Sequence, residues 1–184
     1  MRIISGTARG ASITAPPGYK TRPTADRVRE ALFNIIAPDI YGARFLDLFA
    51  GSGAVGLEAL SREAAEAVFV DKNRQSADFV RANISKLRFE DKSNVLCMDA
   101  LSAMDILANE GRAFDFIYVD PPYDTYLVED VLAKLSSIRL LTDGGMIVIE
   151  TGHAPEFDDG FGKFEIAKQK KYGGTYLTFI TERQ

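Results

Sequence analysis

Residues 45–56 read Phe45-Leu46-Asp47-Leu48-Phe49-Ala50-Gly51-Ser52-Gly53-Ala54-Val55-Gly56. An apolar run of strand length passes into a loop with glycine at 51, 53 and 56, and the loop opens a helix candidate over Ala54–Arg62. The G-x-G-x-x-G spacing is that of the turn that starts a nucleotide-binding βαβ unit, where glycines allow a tight bend and close approach of a ligand to the backbone. Working outward, the same alternation continues. Strand candidates are Phe45–Phe49, Ala67–Asp71, Asn94–Met98, Phe114–Asp120 and Gly145–Glu150; the helix candidates between them are Ala54–Arg62, Arg74–Leu87, Leu101–Asn109 and Leu127–Ser136. The strands are mostly continuous apolar runs rather than alternating ones, which marks a parallel sheet covered on both faces and an α/β fold.

Upstream, Arg2–Ser5 and Ala11–Ala15 are short strand candidates around Gly6-Thr7-Ala8-Arg9-Gly10, a hairpin turn, and Pro16-Pro17-Gly18 ends that unit. Thr24 reads as the N-cap of a helix over Ala25–Ile36, with Val28, Leu32, Ile35 and Ile36 on its apolar face. Downstream, Phe164–Lys171 and Thr175–Thr181 flank Gly173-Gly174, a two-glycine turn suited to an antiparallel hairpin. Residues 1–38 are thus expected to form a hairpin-and-helix extension, a candidate RNA-binding element, on a catalytic unit of residues 39–184, the whole being one compact body.

With 184 residues, 46% hydrophobic and 26% charged, the composition is that of an ordinary soluble domain with a sizeable core. No apolar run approaches the roughly 20 residues that span a bilayer, and the N-terminus lacks a signal peptide's apolar region. A cytoplasmic protein with no membrane partner is expected. Cys97 is the one cysteine; its apolar run, Val95-Leu96-Cys97-Met98, suggests a buried, inert thiol. No histidine, cysteine and carboxylate cluster has metal spacing, and the single histidine, His153, reads as an ordinary loop residue. The net charge of −4 is unevenly spread: residues 1–30 carry six basic and two acidic groups, and the rest carries 16 basic and 24 acidic. Arg2, Arg9, Lys20, Arg22, Arg27 and Arg29 are therefore candidate phosphate contacts, unless they only keep the segment solvated. Lys168, Lys170 and Lys171, beside Tyr172, are a second candidate RNA surface, although lysine on an edge strand also prevents aggregation.

Asp71 stands twenty residues beyond Gly51, where an acidic side chain can grip ribose hydroxyls. The glycine loop and Asp71 alone leave open a nicotinamide cofactor or S-adenosylmethionine. Asp47 favours the latter, because a carboxylate there suits a cationic amino group and repels a pyrophosphate. The length also leaves little room for the substrate domain of a dehydrogenase. The cofactor contacts expected on this reading are Asp47, Ala50, Gly51, Ser52, Gly53, Asp71, Lys72, Asp99, Ala100 and Leu101. Asp99 could accept the adenine amino group, serve as a helix N-cap, or do both.

Asp120-Pro121-Pro122-Tyr123 follows the fourth parallel strand. A nucleobase amine is a poor nucleophile because its lone pair is conjugated with the ring. Acceptors on its hydrogens, here the Asp120 carboxylate and the Pro121 carbonyl, would help the nitrogen become tetrahedral. The prolines, Pro121 and Pro122, fix the backbone that carries these acceptors, and Tyr123 offers a face on which a base can stack. The alternative is a proline-rich strand-capping turn without chemistry.

These segments, together with Met1-Arg2-Ile3-Ile4-Ser5-Gly6 and Arg22-Pro23-Thr24-Ala25-Asp26-Arg27-Val28-Arg29-Glu30-Ala31-Leu32-Phe33-Asn34, resemble the RsmD-type methyltransferases, bacterial enzymes that methylate guanine N2 in 16S ribosomal RNA. The resemblance covers essentially the whole chain. It implies a class I methyltransferase sheet, Rossmann-like, with one antiparallel strand inserted by the final hairpin. It also implies S-adenosylmethionine as methyl donor and 16S RNA of the assembling small ribosomal subunit as partner. A monomer is expected. Arg22, Thr24 and Arg27 would lie near the methionine end of the cofactor or at the RNA entrance. One departure from the family pattern is that Gly10 is followed by Ala11-Ser12-Ile13 instead of a basic cluster. Rival readings are a DNA or RNA methyltransferase acting on adenine N6 or cytosine N4, a small dinucleotide-dependent oxidoreductase, and a non-catalytic RNA-binding module.

Overall fold

The computed structural model describes residues 1–15, 23–122, 125–154 and 162–183, and of residues 23–25 and 125 the backbone alone. The elements, in chain order, are α1 (Pro23–Ile36), β1 (Arg44–Asp47), α2 (Ala54–Ser61), β2 (Glu66–Val70), α3 (Arg74–Leu87), a 3₁₀ turn (Glu90–Lys92), β3 (Ser93–Leu96), α4 (Ala100–Asn109), β4 (Phe114–Val119), α5 (Thr125–Ser137), β5 (Leu141–Thr151), β6 (Phe164–Tyr172) and β7 (Thr175–Glu182). The strands form one seven-stranded sheet in the order β3-β2-β1-β4-β5-β7-β6. β1 to β5 pair in parallel, while β7 lies antiparallel between β5 and β6. This is the class I methyltransferase arrangement, with its single inserted antiparallel strand.

Alternation along the strands divides the core in two. Phe45, Ala67, Phe69, Phe116, Tyr118 and Val148 face α1, α2 and α3, whereas Leu46, Val68, Val70, Ile117, Val119, Ile147 and Ile149 face α4 and α5. Both faces of the central strands are therefore buried, which is why their sequences are apolar without a gap. The N-terminal hairpin joins the first cluster through Ile3 and Ile13. Its pairing is a single antiparallel bridge, Arg2 to Ser12, with backbone hydrogen bonds from Ile3 to Ala11 and from Ile13 to Met1 at 3.0 Å each.

Three differences from the sequence expectation have physical causes. Helix α1 begins at Pro23, not after Thr24; proline suits the first helical turn because its missing N–H has no intrahelical partner there. Strand β5 begins at Leu141 and pairs with β4 through a register shift between Phe114 and Phe116, so Thr142-Asp143-Gly144-Gly145 is a bulged part of the strand rather than a loop before it. Cys97, expected to be buried, is exposed. It follows β3, the edge strand, which is covered less than the centre of the sheet.

Candidate active site

The strand order reverses between β1 and β4: the chain moves outward through β2 and β3, then crosses back to the other side of β1. Ligands of open α/β sheets bind beyond the carboxyl ends of the strands at such a switch point. Three carboxyl groups stand there. Asp47 shares a face with Phe45 on β1, Asp120 shares one with Phe116 and Tyr118 on β4, and Glu150 shares one with Val148 on β5, because residues two apart on a strand point the same way. Pairing of Val119 with Ile149 makes Asp120 and Glu150 the next residues abreast.

Asp47 is only 1% exposed. Its Oδ2 accepts the Gly56 N–H at 3.3 Å, while Oδ1 has no hydrogen-bond partner. Burial, opposed by the Gly56 hydrogen bond and assisted by the charge of Asp71, raises its pKa to about 7. A buried carboxylate with an unused oxygen is costly on its own. It fits a site for a cationic group, which would satisfy the oxygen and return the carboxyl to its ionised form. The methionine moiety of S-adenosylmethionine carries such a group.

The glycine loop between Asp47 and α2 is shaped by two requirements. Gly53 caps α2 with φ 79°, in the left-handed region. A Cβ on Gly56 would come within 2.3 Å of the Phe69 ring, so only glycine lets α2 lie this close to β2. Asp71 braces the loop: its Oδ2 accepts the Gly51 N–H and its Oδ1 the Asn73 N–H, both at 2.8 Å. A carboxylate has about four lone-pair sites, so two remain for ribose hydroxyls. Ala50 and Ser52 are buried beside the loop, and Lys72 is exposed. Asp99 is the N-cap of α4, accepting the Ser102 N–H at 3.0 Å and its hydroxyl at 2.6 Å; these bonds hold its pKa below the usual range. Of the two roles open to Asp99, the N-cap is thus present. Ala100 is buried and Leu101 half-buried in the same turn.

Glu150 was not singled out by its sequence, nor was Tyr118. Their strands read as apolar runs, and the signal lay in the alternation Tyr118-x-Asp120 against Val148-x-Glu150. The Tyr118 hydroxyl donates to Glu150 Oε2. Desolvation raises the pKa of Glu150, opposed by that hydrogen bond, and raises that of Tyr118, to which Glu150 then adds. Asp120 is open to solvent on one side and crowded by protein elsewhere. Desolvation, then the charges of Glu150 and Asp47, push its pKa well above the ordinary range. Pro121 is half-buried and Pro122 exposed. Tyr123, Lys20 and Arg22 lie outside the described residues, as does the side chain of Thr24.

Among the expected phosphate contacts, Arg2, Arg9 and Arg27 are exposed. Arg29 is not: it is 4% exposed, donates to the Arg2 carbonyl at 2.6 Å and to Asp26 at 3.1 Å, and pairs with Glu58 at 3.7 Å. Its assignment to an RNA surface is corrected, because α1 turns this arginine inward onto α2, where it neutralises a fully buried glutamate. Lys168, Lys170 and Lys171 are exposed on the edge strand β6, with the Lys171 ammonium 5.1 Å from the Tyr176 ring centre.

The chain is 36% identical over its whole length, and over all of that protein, to YlbH of Bacillus subtilis (strain 168), provisionally named as an rRNA methyltransferase. It is 40% identical over 151 residues to ribosomal RNA small subunit methyltransferase D of Escherichia coli (strain K12), covering 82% of this chain and 74% of that one. Among solved structures, the Escherichia coli protein provisionally described as the methyltransferase yhhF superposes with a TM-score of 0.85 at 34% identity, over 99% of this chain and 97% of that one. Residues 1–181 match the model of the family described as Conserved hypothetical protein 95, and with these relatives the chain belongs to that family, the RsmD-type methyltransferases that its sequence resembles.

Proposed function

We propose that the protein transfers a methyl group from S-adenosylmethionine to the exocyclic N2 amine of a guanine in 16S ribosomal RNA, as a monomer, on the small ribosomal subunit. The observation that carries this reading is the row of carboxyl groups at the β1–β4 switch point, with Asp47 presenting an unpartnered oxygen and Asp120 opening a rigid Asp-Pro-Pro turn beside it. Asp47 holds the cofactor's ammonium, Asp71 its ribose, and the turn at Asp99–Leu101 its adenine; Ala50 to Gly53 line the backbone beneath. When bound, the cofactor supplies a methyl group made electrophilic by its sulfonium.

The protein's share of the chemistry lies in the turn after β4. Asp120 and the Pro121 carbonyl accept the two amine hydrogens, which draws the nitrogen lone pair out of conjugation and aims it at the methyl. Tyr123 stacks on the base. Asp120, already in contact with the amine, is also placed to take the proton that the methylated nitrogen sheds. Residues 1–38 act as the RNA-binding extension of the catalytic unit 39–184, through Arg2, Arg9, Lys20, Arg22 and Arg27, with Lys168, Lys170 and Lys171 on the edge strand β6 as a second surface. Among the described residues no helix is long and apolar enough to cross a membrane.

Mass spectrometry of nucleosides from small-subunit RNA tests the reading. A deletion strain should lack one N2-methylguanosine, and the gene should restore it. Loss of N6-methyladenosine or N4-methylcytosine in its place would overturn the guanine assignment.

A further inference from the structure

Asp120 accounts for a reacting amine but not for the choice of base, since guanine, adenine and cytosine each offer one. On their Watson–Crick edges the three differ at the ring nitrogen next to the amine. Guanine N1 carries a hydrogen and donates; adenine N1 and cytosine N3 carry lone pairs and accept. A second acceptor beside Asp120 would therefore favour guanine and leave lone pair facing lone pair with the other two.

Glu150 occupies that place. It is the residue abreast of Asp120 on the neighbouring strand, by continuation of the Val119–Ile149 pairing, and strands so paired lie about 4.8 Å apart. It points to the same face, and it is close enough for its charge to act on Asp120. It is half-buried rather than enclosed, so a ligand at the strand ends can reach it. The Tyr118 hydroxyl fixes its orientation from within the core by donating to Oε2, using one of the lone-pair sites of the carboxylate. Tyr118 is itself 3% exposed and packed among the apolar residues of the α1–α3 side, so it is a rigid support. A separate observation, the unpartnered buried oxygen of Asp47 on β1, the strand on the other side of β4, fits a ligand at the same strand ends.

We propose that Glu150 is the specificity-determining residue of the site: held by Tyr118, its carboxylate accepts the ring N–H that adjoins the reacting amine, so that guanine is taken and bases with a ring acceptor at that place are refused. This rests on the reading of Asp120 as the acceptor for the amine. A site built to hydrogen-bond a donor discriminates strongly against an analogue without it, because its own buried acceptor is left unpaired.

The test compares two substrates, once wild-type enzyme has been used to map the modified nucleotide. One is small-subunit RNA with guanosine at that position; the other carries 2,6-diaminopurine there, which keeps the 2-amino group but replaces the ring N–H with a lone pair. Wild-type protein should prefer guanosine by about 100-fold or more in kcat/KM. Glu150→Gln can donate its amide hydrogens to the ring lone pair, so the preference should shrink at least 10-fold, with S-adenosylhomocysteine affinity kept within a few-fold as a check on folding. Tyr118→Phe should weaken the preference while leaving Glu150 in place. A guanosine preference unchanged in Glu150→Gln overturns the proposal even if wild-type protein makes N2-methylguanosine. Failure of wild-type protein to methylate the guanine amine at all overturns the underlying reading as well, and product analysis separates the two cases.

Discussion

Arg29 on α1 and Glu58 on α2 form a 3.7 Å ion pair from which solvent is almost excluded, with 4% and 0% of their side chains exposed. Glu58 also accepts the backbone N–H groups of Ile4 at 2.8 Å and Ser5 at 3.0 Å, and the Arg62 Nε at 2.9 Å. One carboxylate thus joins the N-terminal hairpin, α1 and the helix that follows the glycine loop. Glu58→Ala would strand a buried guanidinium and two backbone donors. Breaking such a pair from one side costs about 3–5 kcal/mol, so the urea midpoint should fall steeply. An unchanged midpoint would show that the hairpin is held by its apolar residues alone.

Asp47 makes stability depend on pH in a direction that can be worked out. Its pKa is about 7 in the folded protein against an ordinary value of 3.8. Stability from this group is therefore fully present below pH about 4 and is lost as pH rises through 7, since the unfolded chain ionises first. Asp120 and Glu150, also raised, act in the same sense. Without ligand, Asp47→Asn should lose less stability between pH 4 and 7 than wild type, because its amide keeps an acceptor for Gly56 and cannot ionise. Binding of S-adenosylhomocysteine should respond oppositely. Wild-type affinity should increase from pH 5 to 7 as Asp47 ionises opposite the ligand ammonium, and Asp47→Asn should bind at least ~10-fold more weakly, the loss of one charge-assisted hydrogen bond. Calorimetry across that range checks both; equal affinity in the two proteins would remove Asp47 from the cofactor site.

Much of this site was legible because strand ends and glycine spacings are local. Asp47, Gly51–Gly53, Asp71 and Asp120 all lie where a βα turn must put them once the alternation of elements is recognised. What escaped was relational. Nothing near Glu150 in the sequence says that it will stand abreast of Asp120, because that depends on the β4–β5 register and on a bulge at residues 142–145. Arg29 misled for the same reason: its neighbours are basic and polar, and its partner, Glu58, lies 29 residues away on another helix. Burial of Cys97 was inferred from apolar neighbours that turned out to belong to a strand at the sheet's edge.

Asp120→Ala should separate chemistry from cofactor binding. Its carboxyl stands just beyond the end of β4, abreast of Glu150, and its acceptor matters most as the amine becomes tetrahedral. Loss of one preorganised transition-state contact typically costs a factor of ~100 or more in turnover. Single-turnover rates should drop by that amount while S-adenosylhomocysteine affinity stays within a few-fold. Near-normal turnover would reduce the Asp-Pro-Pro turn to a structural stop after the strand.

The RNA surface can be located by salt. Arg2, Arg9 and Arg27 are exposed on the N-terminal hairpin and α1, while Arg29 is committed to Glu58 and should contribute nothing. Each phosphate contact with single-stranded RNA contributes about −0.7 to the slope of log affinity against log salt concentration. Three contacts predict roughly −2 from this surface. Replacing the three arginines with glutamine should flatten the measured slope by about that amount and raise the apparent KM for RNA, with S-adenosylhomocysteine binding unchanged. If the triple variant keeps the wild-type slope, the same substitution at Lys168, Lys170 and Lys171 should remove it. That outcome would place the RNA along β6 and explain why no basic cluster follows Gly10 on the first hairpin.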